Sequence, residues 1–267
     1  MKTKPLIAVG YLFIFLAIQT VVQVAALAIE WMILGKEITE LDAIGLLVST
    51  IVFSLITIGL FTGLKWTPVS REYIVSRPWL VLFWCFIAAL GAVVPSSFLQ
   101  EQLPEWPESI QQQIDHLSEM MLQLMNVPGG YAALCILAPI AEEVVFRGAI
   151  LRKLMEWKPQ HRWLMITLSA LLFALAHMNP AQFLHPFLIG LLLGWMYVRT
   201  GSILPEIVYH CVNNSVAYLT TRLYQDPDVT LTQILGSTSR VLMAVAFSLL
   251  IFVPAIYQLH LWMRKKN

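Results

Sequence analysis

The sequence predicts an all-α, polytopic membrane protein: a bundle of about eight transmembrane helices with both termini on the inner side. Three observations lead there. Of 267 residues, 58% are hydrophobic and 12% charged, whereas soluble domains average about 45–50% and about 25%. The mean hydropathy is +0.72. Eight apolar stretches divide the chain, and its cations gather in every second connection between them.

The elements follow in order. Residues 6–32, 43–64 and 79–99 are apolar almost throughout and long enough to cross a bilayer. A loop over 100–128 comes next. Within it Ile110, Ile114, Leu117, Met121 and Leu124 recur at helical spacing among glutamines and acids. That pattern predicts an external amphipathic helix resting on the bundle or the membrane. The stretches 130–154, 163–177 and 204–223 carry polar residues, 181–198 holds His185 before Pro186, and 241–263 is again apolar. The absence of repeats and composition shifts predicts one transmembrane domain over 1–267, with a polar-bearing core over 130–218.

Orientation follows from lysine and arginine. Lys2, Lys4, Lys65, Arg71, Arg77, Arg152, Lys153, Lys158, Arg162, Arg199, Arg264, Lys265 and Lys266 fall on one side, and only Lys36, Arg222 and Arg240 on the other. The richer side is the cytoplasmic one. A formal charge of +1 with no basic patch argues against nucleic-acid partners. Cys85, Cys135 and Cys211 stand apart in apolar segments, which excludes a disulfide framework or a zinc ribbon.

An ionisable side chain within the hydrocarbon is costly, by about 2.5–3.5 kcal/mol on insertion scales, and is a functional candidate by default. The embedded set is Glu142, Glu143, Arg147, His177, His185, Glu206 and His210, with Asn213 and Asn214 beside them. Glu143 and Arg147 are four apart, so they share a helix face and can pair. Glu142 is offset by about 100° and left without that partner, as a general base would be. A structural ion pair between helices is the other reading of the same run. His210 and Asn214 also lie four apart. They can supply hydrogen bonds to an oxyanion, ligands to a metal, or interhelical packing. Glu206, behind Pro205 in a first turn, reads as a complement to the helix dipole. His177 stands at a helix end, and Asn179-Pro180 reads as the start of the next helix. His185 reads as a hydrogen-bond partner at a kink. Counted from the inner ends, Glu142 and His177 lie deeper than His210 by roughly 12 Å, a mismatch for groups meant to meet.

Together these segments resemble the CPBP family of intramembrane proteases, also called Abi, which includes the CAAX prenyl endopeptidases and bacteriocin-processing or self-immunity proteins. The first motif is Glu142, Glu143 and Arg147, with Phe146 and Gly148; the second is Phe173 and His177; the third is His210 and Asn214. The Thr200-Gly201-Ser202 turn and Pro205 also resemble the family. The resemblance implies an endopeptidase acting on a membrane protein or peptide in the lipid bilayer. Carried over, Glu142 and His177 activate water, His210 and Asn214 stabilise the oxyanion, and Glu143, Arg147 and Phe173 support the site. It leaves the cofactor open. A divalent metal such as zinc on Glu142, His177 and His210 and a metal-free glutamate mechanism are both compatible with it. A multi-pass protein of the bacterial cytoplasmic membrane is the expected setting. A non-proteolytic scaffold, binding or immunity protein of the same fold is the alternative.

Other intramembrane chemistries are excluded. The chain has no His-Glu-x-x-His. It also lacks embedded aspartates, a Gly-x-Ser-x-Gly elbow and the many histidines of a membrane di-iron enzyme. A transporter would show paired broken helices in its two halves, and none is found.

Overall fold

The computed structural model describes residues 3–35, 40–68, 71–104, 106–226 and 229–263. Lys2, Lys36, Arg264, Lys265 and Lys266, and the side chain of Arg71, lie outside the described part. The described residues are 84% helical, with no strand among them. In chain order, α1 is Lys4–Leu34, α2 Ala43–Gly63, α3 Arg71–Val75, α4 Trp79–Glu101 and α5 Glu108–Asn126. A continuous helical run of changing type, α6, covers 130–157. Then come α7 Arg162–Ala176, α8 Leu184–Thr200, α9 Leu204–Tyr224, α10 Leu231–Leu235 and α11 Thr238–Trp262.

Among the described residues, five helices have the length and composition of membrane spans: Lys4–Met32, Ala43–Gly63, Trp79–Glu101, Pro180–Thr200 and Thr238–Trp262. The other three expected stretches are helical but built differently. α6 changes its winding, α7 is apolar but only 15 residues long, and α9 is 21 residues long and studded with polar groups. The apolar composition shows on the outside as well. Phe13, Met32, Phe247 and Leu250 are each at least 66% exposed, an apolar surface suited to lipid.

Interior packing divides into two clusters. One joins Tyr11 and Phe15 of α1, Phe61 of α2, Val145, Phe146 and Ile150 of α6, and Met165 and Phe173 of α7. The other joins Cys85 and Ala88 of α4, Leu193 and Met196 of α8, Tyr209 of α9 and Leu259 of α11. The polar motif residues of α6, α7 and α9 therefore lie on the seam between the two. Close approach across that seam needs small residues. A Cβ at Gly190 of α8 would stand 2.9 Å from the Ala170 Cβ of α7, and one at Gly194 2.8 Å from Ile166 Cγ2.

Capping sets the helix ends. The Asp42 side chain accepts from Gly45 N–H at 2.7 Å at the start of α2, and the buried Glu30 carboxylate of α1 accepts from Asp42 N–H at 3.4 Å. The sequence places a helix start at Asn179-Pro180. The cap does form, with Asn179 Oδ1 accepting from Ala181 N–H at 3.0 Å. It caps a short 3₁₀ turn, Pro180–Gln182, and α8 proper begins at Leu184. The amphipathic pattern over 108–126 becomes α5, which packs on α2 and α9 with Ile114 and Leu124 buried and Leu117 left exposed. Its end is tied to α9, where Tyr218 Oη donates to Met125 O at 2.8 Å and Arg222 bonds Asn126.

Candidate functional site

The site begins with the winding of α6. Ala133–Leu137 and Val144–Leu151 are π-helical, with Ala138 N–H donating to Ala133 O, five residues back. The next bond in that register would run from residue 139 to Leu134 O. Residue 139 is proline and has no N–H. The Leu134 carbonyl is therefore left over, and Asn214 Nδ2 of α9 donates to it at 3.1 Å. In the second wide segment, side chains likewise reach its carbonyls. Thr67 donates to Val144 O at 2.5 Å, Ser169 to Phe146 O at 3.1 Å and Arg152 to Gly148 O at 3.1 Å. Gly148 lets Thr67 in, because a Cβ there would collide with the Thr67 side chain. Such π segments recur at functional sites.

At the junction of α-helical and π-helical winding stand the two glutamates. Glu143 is fully buried, and its Oε1 accepts from Arg147 Nη1 at 2.9 Å, the pair that the four-residue spacing predicts. The same oxygen accepts from His210 Nδ1 at 2.8 Å. Arg147 is 1% exposed, lies over the Phe173 ring at 4.5 Å and reaches Gly190 O at 3.5 Å. Besides Arg147, the Phe173 ring meets His177 edge-on at 4.9 Å and His210 at 5.9 Å. Glu142 differs from its neighbour. Its side chain is 22% exposed, and Oε2 faces His210 Nε2 at 3.6 Å. His210 thus sits between the two carboxylates.

The expected mismatch in depth disappears. Thr67, just past the end of α2, bonds Val144, so the glutamates lie near the level where α2 terminates. Residues 144–157 continue beyond that level, and Glu142 still lies within 3.6 Å of His210.

Residues 125–216 match the family model described as Rce1-like, type II CAAX prenyl endopeptidase. This segment is similar to that family, in keeping with the CPBP (CAAX protease) resemblance of its motifs. Residues 1–124 and 217–267 lie outside the match. No curated protein and no solved structure matches the chain.

The Rce1-like segment contains all seven motif residues, and the structure gathers them from α6, α7 and α9. His177 follows the end of α7, and its Nδ1 bonds Phe173 O at 2.9 Å. A carbonyl only accepts, so Nδ1 carries a proton, and in the neutral ring Nε2 is the accepting nitrogen. Met178 then turns the chain with φ 51°, a left-handed conformation uncommon for methionine. Among the described residues, no three His, Cys, Asp or Glu side chains converge to hold a metal ion. Glu142, His177 and His210 do not form the three-ligand arrangement in this geometry.

Three residues of the Rce1-like segment have more to do than their sequence positions suggested. Asn213 Nδ2 reaches His185 Nε2 at 3.2 Å and Asn214 Oδ1 at 3.5 Å, joining His185 to the site. Glu206 does stand in the first turn of α9, where an acid complements the helix dipole, and it is fully buried there. Neither of its oxygens has a partner in hydrogen-bond geometry, while Glu143 and Arg147 lie within electrostatic reach. The available signal was spacing: Glu206, His210 and Asn213 fall on one stripe of α9.

Proposed function

We propose that the protein is an intramembrane endopeptidase of the CAAX type, hydrolysing peptide bonds of membrane-associated protein or peptide substrates. The observation that carries this reading is the convergence of the three motif segments on His210, which is held between Glu143 and Glu142. The family match over 125–216 supports the reaction class.

Each residue then has a task that its bonding allows. The partly open Glu142 carboxylate and the bare Nε2 of His177 accept the proton of an attacking water as its oxygen bonds the scissile carbonyl carbon. The carbonyl oxygen becomes an oxyanion. His210 Nε2, on the ring edge that faces Glu142, can donate to that oxygen once it carries a proton, while Glu143 fixes Nδ1. Asn214 has a second N–H beyond the one given to Leu134, and this is available to the same oxyanion. The proton taken from water passes to the leaving amine as the C–N bond breaks.

In the membrane we place eight helical crossings with both termini inside and the site near the inner face, in a bacterial cytoplasmic membrane. The charge asymmetry supports this orientation.

The test is cleavage in proteoliposomes of a farnesylated CaaX peptide carrying a fluorophore and quencher, with membrane proteomics of wild type against Glu142→Gln as the open search. Cleavage lost in Glu142→Gln, with the variant still inserted and folded, is the expected result. Equal turnover by both proteins would sink the proposal.

A further inference from the structure

Pro139 starts a chain of hydrogen bonds that ends on a histidine outside the three motifs. The Leu134 carbonyl can only accept, so the Asn214 group facing it is the amide nitrogen. That turns Asn214 Oδ1 toward Asn213, whose facing atom is then its own Nδ2. The same Asn213 nitrogen donates to His185 Nε2 at 3.2 Å. An accepting Nε2 puts the proton of the neutral ring on Nδ1. His185 Nδ1 has no hydrogen-bond partner among the described residues. His177 and His210 are both within electrostatic reach of the ring. Two side chains at the site are therefore set in opposite senses: His177 offers a lone pair, and His185 offers an N–H.

We infer that His185 is a further hydrogen-bond donor to the reacting carbonyl oxygen, through an Nδ1–H fixed by the relay Leu134–Asn214–Asn213. The role rests on the proteolytic reading above, whereas the tautomer does not. It also gives Asn213 a task as a positioning residue. Asn214, with one N–H committed to Leu134, shares the oxyanion with a second donor from α8.

Two experiments test it. In the first, side-chain ¹⁵N NMR of histidine-labelled protein in nanodiscs reads the tautomer, with His185→Gln assigning the signal. The wild type should show protonated Nδ1 and bare Nε2. Asn213→Asp, whose carboxylate can only accept, should move the proton to Nε2. A wild-type His185 protonated at Nε2 overturns the proposal.

In the second, the farnesylated CaaX peptide is cleaved by two variants. The asparagine amide nitrogen occupies roughly the place of Nδ1, and that of glutamine roughly the place of Nε2. His185→Gln should lower kcat about 10²–10³-fold, the usual cost of one oxyanion donor, with KM little changed. His185→Asn should recover most of that loss. Equal loss in both variants, or an effect confined to KM, overturns the donor role. A wild type that cleaves nothing overturns the proteolytic reading and the donor role with it, and the tautomer is still decided by the NMR.

Discussion

His210 donates from Nδ1 to Glu143 Oε1 at 2.8 Å, on the oxygen that also receives Arg147. One buried carboxylate oxygen therefore holds both the histidine of α9 and the arginine of its own helix. Its neighbour Glu142 keeps an open face. Adjacent residues of the same type thus divide structural and chemical work.

That division predicts a split between two substitutions. Glu143→Ala strands Arg147 as a buried unpaired charge and should cost about 3–5 kcal/mol. Glu142→Gln should leave the melting temperature in detergent nearly unchanged while abolishing cleavage. Similar melting shifts for both variants would refute the assignment.

Pro139→Ala returns an N–H to the wide turn, where it competes with Asn214 for Leu134 O. Stability should hold or rise, because a helix interior regains a donor. Cleavage should fall about tenfold or more as the amide is released. Full activity in this variant would show that Asn214 is held by something else.

Glu206 is a buried carboxyl whose two oxygens lack partners. An unsatisfied buried group costs about 1–3 kcal/mol. Glu206→Met, which keeps the volume, should therefore raise the melting temperature. A lower melting temperature would mean that the carboxyl is held by bound water between it and the Glu143–Arg147 pair.

At the end of α6, Glu156 binds Lys153 at 2.8 Å, Arg152 at 2.9 Å and Lys4 at 3.7 Å. Burial alone would raise its carboxyl. Lys153, Arg152 and Lys4 outweigh it and hold the group below its ordinary 4.5. A lowered carboxylate contributes stability above the unfolded value and loses it as pH falls through the folded one. The stability gap between wild type and Glu156→Gln should therefore be present at neutral pH and close below about 4.5. The gap should be small, under about 1 kcal/mol, since the pair is partly solvated. A gap that widened in acid would contradict the network.

Because Glu142, His177 and His210 do not converge as ligands, a chelator should leave peptide cleavage unchanged. Stoichiometric zinc lost together with activity, by elemental analysis, would restore the three-ligand reading.

Much of this was legible in the sequence. Hydropathy found α1, α2, α4 and α11, because a continuous apolar run has few other solutions. Four-residue spacing found the Glu143–Arg147 pair, and amphipathic periodicity found α5. What escaped was tertiary. The His185–Asn213 contact joins residues 28 apart on different helices, and no periodicity reports it. The first-turn position of Glu206 is visible in the sequence, and its complete burial is not. The depths of Glu142 and His210 could not be reconciled because a count of residues takes one rise per residue and a common starting level for every helix.

The π-helical turns bear on how this chain can be altered. A helical wheel drawn at one angle per residue through 130–157 assigns the wrong faces beyond residue 133, and again beyond 144. Removing one residue from Val144–Leu151 would let the helix rewind to the ordinary pitch. The change of pitch takes up most of the rotation that a lost residue would cause, but the carbonyls of Val144, Phe146 and Gly148 would return to ordinary helical bonding and release Thr67, Ser169 and Arg152. The segment should accept many substitutions of like size yet no change in length.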